Sequence, residues 1–233
     1  GLIEGNYAVT SGGGIKLAQN SNAIISYVNI VNNVTDGLGG GISCQGSKPI
    51  LYNVTIVNNT ADTTVTNGGG GISITSNYGE EFISRPILIN TIIWDNSIAQ
   101  IAFGNISSEI VITYSDLQGS NDIYNSYGIG GAVNVNEIHW LEGNIDVDPL
   151  LIDPENGDYN LQVGSPCIDS GTSYFEYEDE VIVDIPESSY YGQAPDMGAF
   201  EYEGSSLLGD LNGDGLINIL DVVVLVNIVL GGS

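Results

Sequence analysis

Positive charge is nearly missing from this chain: 3 Lys and Arg stand against 29 Asp and Glu, a formal net charge of −26, with a single His. Three cations cannot neutralise a phosphate backbone, which excludes nucleic acid as a partner. The same shortage argues against anionic membrane surfaces and acidic polysaccharides, which need basic patches on the protein. Cysteine is scarce too. Cys44 and Cys167 are too few for a disulfide framework and leave two readings open, one long-range bridge or two buried thiols. Long apolar runs are absent: the longest, roughly a dozen residues near the C-terminal end, is too short for a transmembrane segment. The chain opens at Gly1 with neither Met nor the basic and apolar regions of a signal peptide, as a mature, processed or partial chain would.

What is present is glycine, 32 residues of 233, and 42% hydrophobic residues, enough to oppose disorder despite the charge. A chain of this length buries roughly 70% of its unfolded surface. Gly12-Gly13-Gly14-Ile15 recurs as Gly39-Gly40-Gly41-Ile42 and as Gly69-Gly70-Gly71-Ile72, with Ile-to-Ile steps of 27 and 30 residues. Between these clusters a second block recurs in phase: AIISYVNIVNN from Ala23, PILYNVTIVNN from Pro49 and PILINTIIWDN from Pro86. Stacked, the blocks align Ile24, Ile50 and Ile87, then Ile30, Ile56 and Ile93, then Asn33, Asn59 and Asn96. A weaker copy from Glu109 places Leu117 in the Ile30 column.

Each block is rich in β-branched residues and bounded by Gly, Asn, Thr and Asp, the pattern of short strands. A repeat of this length without a helix buries its apolar face only by stacking on its neighbours. The expected fold is therefore all-β, a right-handed parallel β-helix, with glycines giving positive φ at corners and aligned Asn bonding from coil to coil. A β-sandwich does not predict one column repeating in every coil. The expected organisation is β-helix coils over 1–119, an irregular terminal part over 120–204 that covers the solenoid end, and a separate tail over 205–233. The first coil is expected to expose an uncapped edge.

Asp148-Pro149-Leu150-Leu151-Ile152-Asp153-Pro154, Gly157-Asp158-Tyr159-Asn160-Leu161 and Gly164-Ser165-Pro166-Cys167-Ile168-Asp169-Ser170-Gly171 follow in order, closed by Pro195-Asp196-Met197-Gly198-Ala199-Phe200-Glu201-Tyr202. These motifs resemble the C-terminal part of bacterial surface β-helix proteins, the choice-of-anchor Q domain proteins, over roughly residues 12–202. The resemblance implies an extracellular or cell-surface β-helix with a separable anchoring module and no defined reaction. In that setting Cys167, Pro149 and Pro166 are structural.

The sharpest motif runs from Asp210 to Asp221. Oxygen-bearing residues fall at loop positions 1, 3, 5, 9 and 12 with Gly215 at position 6, the EF-hand spacing for Ca²⁺. Asp210, Asn212, Asp214 and Asp221 would ligate through side chains, Leu216 through its carbonyl, and Asn218 directly or through water. Asp at position 12 resembles dockerin-type loops, which implies cohesin as a partner. Residues 219–230, ILDVVVLVNIVL, hold only Asp221 and Asn227 as polar groups and read as a short helix that needs burial. A dockerin pairs two such repeats; this segment is one. Its helix must dock on the chain's own β-helix, on a second copy or on a partner.

Composition also limits catalysis. A uronate lyase needs a cationic base or charge stabiliser, and Lys16, Lys48, Arg85 and His139 are the candidates. A hydrolase uses paired carboxylates, for which Asp95 and Asp116 near strand ends are the nearest fit. Turn capping is the simpler reading of both. Glu176, Glu178, Asp179 and Glu180 read as a solvated loop or a weak second calcium site. Tyr27, Tyr52, Trp94 and Tyr114 fall in different columns and read as packing rather than as a sugar-stacking stripe. The expectation is a non-catalytic scaffold or adhesion protein whose calcium-bound tail mediates attachment or head-to-tail assembly into a filament. The alternative is a neutral-glycan hydrolase or lyase attached through a dockerin.

Overall fold

A computed structural model of the chain describes residues 1–62, 68–76, 83–104, 107–120, 129–131, 137–204, 211 and 218–230. The chain winds as a parallel β-solenoid of about 4 turns and ends in one helix. The first pass runs through β1 (Leu2–Glu4), β2 (Tyr7–Ala8) and β3 (Ile15–Ala18), the next through β4 (Ile24–Val31), β5 (Val34–Thr35) and β6 (Ile42–Gln45). Then come β7 (Ile50–Val57) with β8 (Ile72–Thr75), and β9 (Ile87–Trp94) with β10 (Ile101–Phe103). β11 (Glu109–Thr113), β12 (Asp116–Leu117), β13 (Ile129–Gly131) and β14 (Glu137–Trp140) carry the stacking on, past Gly119 where the repeat fades from the sequence.

Two large parallel sheets result, with β2 and β5 pairing parallel in a small third. One has the order β1-β4-β7-β9-β11-β14 with β12 also on β9; the other is β13-β10-β8-β6-β3. Ile24, Ile50 and Ile87 are in register, as are Ile30, Ile56, Ile93 and Leu117. Between the sheets Ile30, Ile42, Ile56, Ile72, Ile93, Ile101 and Phe103 are almost fully buried. Each such side chain stabilises the fold by about 1.5–3 kcal/mol.

Two columns of left-handed residues bend every pass. Tyr27, Asn53, Asn90 and Tyr114 have φ of 53, 49, 48 and 44°, and divide each long strand into two straight halves. Gly5, Asn32, Asn58, Asp95 and Gly119, with φ between 51 and 74°, form the second corner. Asn and Asp tolerate this region better than branched residues do. The glycine clusters work differently from the expectation. Gly12 and Gly39 do take positive φ, 67 and 73°, but the glycines after them do not. At those positions the backbones leave no room: a Cβ on Gly13 would lie 2.4 Å from the Gly40 oxygen, and one on Gly40 would lie 2.6 Å from that of Gly70.

Beside the second corner runs a continuous amide ladder. Asn6 donates from backbone and side chain to Asn33 Oδ1 at 3.0 and 2.9 Å, and Asn33 does the same to Asn59 Oδ1 at 3.0 Å twice. Asn59 repeats it to Asn96 Oδ1, 2.9 Å each, and Asn96 to Gln100 Oε1 at 3.2 and 2.7 Å. Gln100 then donates to Gln118 Oε1 at 2.8 Å. The second amide proton of Asn33, Asn59 and Asn96 goes to the carbonyls of Ile3, Ile30 and Ile56. Asn33 and Asn59 are wholly buried, so each bond is made where an unmade one is costly.

Residues 148–202 fold back along the outer face of the larger sheet, whereas an end-covering role was expected of them. β15 (Leu151–Asp153) pairs antiparallel with β16 (Asp158–Leu161), and β17 (Tyr174–Tyr177) with β18 (Glu180–Asp184). Val31, Val57 and Ile92 on the sheet meet Leu151, Tyr159, Leu161, Cys167 and Met197 in a second apolar cluster. The hairpin β17–β18 covers Ile87, Ile89 and Val111 in a third.

Asn59→Ala is expected to lower the unfolding free energy by about 2–4 kcal/mol, because it strands the donors of Asn33 below and the acceptor of Asn96 above. Asn6→Ala, at the exposed end of the ladder, is expected to cost less than about 1 kcal/mol. Urea midpoints at constant m-value compare the two.

Candidate functional site

The terminal helix α1 (Ile219–Val229) is rich in Val and Ile, residues of modest helix propensity, so its start depends on capping. Asn218 is the N-cap, its Oδ1 accepting the Leu220 N–H at 2.8 Å, while Asp221 Oδ2 accepts the Asn218 N–H at 2.7 Å. This is a capping box. Asp221 Oδ1 also accepts the N–H of Leu211 at 2.8 Å, which joins the second residue of the Asp210–Asp221 segment to its last. Asp221 is 3% exposed. Asp210, Asn212, Asp214 and Leu216 lie outside the described residues.

The helix itself stays in solvent. Ile219, Leu220, Val222, Val223, Leu225, Val226, Ile228, Val229 and Leu230 are 46–77% exposed, and Asp221 is the helix's one buried residue. Among the described residues no side chain of this helix joins the solenoid's apolar clusters, so the first of the three docking surfaces expected for it, the chain's own β-helix, is not seen in use there. An 11-residue helix is also too short to cross a bilayer, and no described helix is long and apolar enough to do so.

The candidate catalytic residues separate. Asp95 is exposed at a corner, its Oδ1 taking the Gln118 Nε2–H at 3.1 Å. Asp116 is 0% exposed beneath the outer layer. Its carboxylate accepts the Val147 N–H at 3.2 Å and the Cys167 S–H at 3.4 Å. Burial pushes its carboxyl up to about 7, with the Asp146 and Asp148 charges adding to the shift. Lys16 sits exposed on β3.

Lys48 and Arg85 fall in one column, each two residues before the paired Ile50 and Ile87, and Arg85 gathers a charge cluster that sequence reading missed. Arg85 Nη1 lies 2.6 Å from Glu178 Oε1 and 3.9 Å from Glu109 Oε2, with its guanidinium 5.6 Å from the Tyr177 ring centre. His139 Nε2 is 3.6 Å from Glu137 and 4.0 Å from Glu109. The hydrogen bond from Arg85 holds the Glu178 carboxyl below its ordinary range. The acidic run is thus a hairpin turn, Glu178 and Asp179 both having positive φ, latched to the sheet by Arg85. Among the described residues no three His, Cys, Asp or Glu side chains gather as metal ligands, this run included.

Both cysteines are free and buried, which decides against a bridge. Desolvation pushes the Cys44 thiol up to about 11 and raises that of Cys167, so neither is a ready nucleophile. Tyr27 and Tyr52 pack edge to face at 5.6 Å, and Trp94 packs against the second apolar cluster.

The closing motif is a docking device for the outer layer. Asn53 donates to the Asp196 carbonyl at 2.9 Å, Thr55 Oγ1 accepts the Ala199 N–H at 2.9 Å, and Asn90 O accepts the Gly198 N–H at 2.8 Å. Gly198 has φ of 100°, and a Cβ there would meet Ile92 Cδ1 at 2.8 Å. Asp196 binds the N–H groups of Asp169 and Tyr202, while its own N–H is taken by Glu201. No family model matches this chain, and no curated protein or solved structure matches it either.

Folded Asp116 keeps its proton up to about pH 7, whereas the unfolded chain releases it near 3.8. Its contribution to stability is therefore complete below pH 3.8 and is lost as pH rises through about 7. Glu201, also pushed up to about 7 by burial, acts in the same sense. Asp116→Asn is expected to flatten the fall in urea midpoint between about pH 4 and pH 8, leaving the Glu201 part. An unchanged slope would mean that water reaches the Asp116 carboxyl.

Proposed function

We propose that this chain is a non-catalytic, secreted or cell-surface β-helical scaffold or adhesion protein with a calcium-dependent docking tail. In this reading the solenoid is right-handed and belongs with the choice-of-anchor Q proteins it resembles. Asp210, Asn212, Asp214, Asn218 and Asp221, with the Leu216 carbonyl, hold Ca²⁺ in a half dockerin-type repeat. The ion supplies charge neutralisation and fixes the loop, and the loop fixes the helix that follows it. The observation that carries the reading is the pairing of an exposed apolar helix with a buried carboxylate, Asp221, that ties the two ends of the loop together.

An apolar surface of this kind marks an interaction site. Its partner is a second copy or a cohesin-like domain. Assembly through residues 219–230 against the first coil is the extension, since β1 and β3 are edge strands of their sheets and Leu2 is 58% exposed. A charge of −26 opposes such assembly at low salt, and bound calcium lowers that repulsion at the tail. The glycan-cleaving alternative gains nothing from Asp95 and Asp116, one exposed and one buried.

Sedimentation velocity and electron microscopy in calcium and after chelation test this. Calcium is expected to give larger species or filaments, or capture by an immobilised cohesin, and Asp221→Ala is expected to abolish both. A monomer that ignores calcium and cohesin alike would remove the docking tail, and magnesium at equal ionic strength controls for screening.

A further inference from the structure

We propose that the outer layer carries a binding groove for neutral sugars between Tyr191 and Phe200, a site separate from the calcium tail. Two adjoining hollows share Tyr191 and Tyr202 as walls. The larger, about 500 Å³, is bounded also by Asn160, Phe200 and Glu201, and the smaller, about 330 Å³, by Asp169. The larger volume lies within the usual range of ligand sites.

Three features select the ligand class. Tyr191 and Phe200 remain 55% and 40% exposed although the layer around them is packed. An aromatic ring offers the flat apolar face on which the C–H side of a pyranose stacks, and the Tyr hydroxyl adds a polar edge. Second, the polar groups beside these rings are hydroxyl-binding groups already held in place. Glu201 is fixed by the N–H of Asp196 at 3.1 Å and that of Tyr191 at 3.4 Å, and Asp169 Oδ1 by the N–H of Gln193 at 2.8 Å. Such preorganised acceptors bind sugar hydroxyls without a further ordering cost. Burial and the nearby Asp196 and Asp169 charges push Glu201 up to about 7, so near neutral pH it serves as donor as well as acceptor. Third, no Lys or Arg lines either hollow, while Asp169, Asp196, Glu201 and Glu203 do. Uronates and sulfated sugars are repelled by that set; uncharged sugars are not.

Tyr191 follows a 3₁₀ turn, Glu187–Ser189, and Phe200 lies within the closing motif, where Asp196 and Gly198 anchor the backbone to Asn53 and Asn90 on the sheet. That anchoring gives a rigid platform for the groove, and it leaves Tyr191 and Phe200 without a part in the core.

The test is titration calorimetry and saturation-transfer NMR of the full chain with cellohexaose, xylohexaose, mannohexaose and laminarihexaose, and with a galacturonate hexamer as the acidic control, all in chelator. At least one neutral oligosaccharide is expected to bind with Kd of roughly 10 µM to 1 mM. Tyr191→Ala and Phe200→Ala are each expected to weaken it about tenfold or more while the thermal midpoint stays put. Absence of binding by all four at about 10 mM, binding that survives both substitutions, or preference for the galacturonate would each overturn the proposal. Because calcium is withheld, the result stands apart from calcium-dependent assembly.

Discussion

Register is the constraint on which the rest of the molecule depends. In a stack of parallel strands every backbone bond is satisfied equally well after a slip of two residues, so the ladder of peptide groups does not choose its own alignment. The amide chain from Asn6 through Asn33, Asn59, Asn96 and Gln100 to Gln118 does choose it. Each link is directional, and Asn33, Asn59 and Asn96 each take both a backbone and a side-chain N–H from the asparagine of the coil before. Once these are aligned, the Ile30, Ile56, Ile93 and Leu117 column meets in the interior, the Ile50 and Ile87 column faces the outer hairpin, and the corner residues stack with them.

Alignment also builds the outside. Asn53 and Asn90 sit at left-handed corners, and their amides meet the Asp196 and Thr172 carbonyls at 2.9 Å each. A residue type chosen for its backbone tolerance thereby becomes an anchor for chain more than eighty positions away. The outer layer buries Asp116 and Cys167 against each other and leaves Tyr191 and Phe200 exposed, so it separates structural polar groups from accessible ones. Arg85 fastens the acidic hairpin to the same sheet, in a partly exposed position where an ion pair contributes modestly.

The tail follows a different logic. Its helix leaves most of its apolar surface exposed, and its described fixings are the capping box and the closure from Leu211 to Asp221. The proposed calcium ion would reinforce that same point. A chain carrying 29 carboxylates gains most from a divalent ion where the carboxylates are already confined, which is where the loop spacing puts them.

The repeat was readable because stacking makes like residues meet like: the Ile24, Ile30 and Asn33 columns, and the weaker Leu117, all stand in register as their spacing predicted. Gln100 escaped notice because it lies four residues beyond Asn96 and joins the ladder only through its longer side chain. The role of most cluster glycines was misread, since a lack of room between backbones leaves the same residue in the sequence as a demand for positive φ. Sequence alone thus determined the solenoid, its columns and the spacing of the loop, all local or periodic properties carried by residue type. Tertiary structure decided that residues 148–202 lie on the flank, that Asp95 and Asp116 part company, and that Arg85, His139 and Glu178 meet. Those outcomes depend on how a non-repeating segment folds back on a repeating one, and aperiodic contacts leave no period to read.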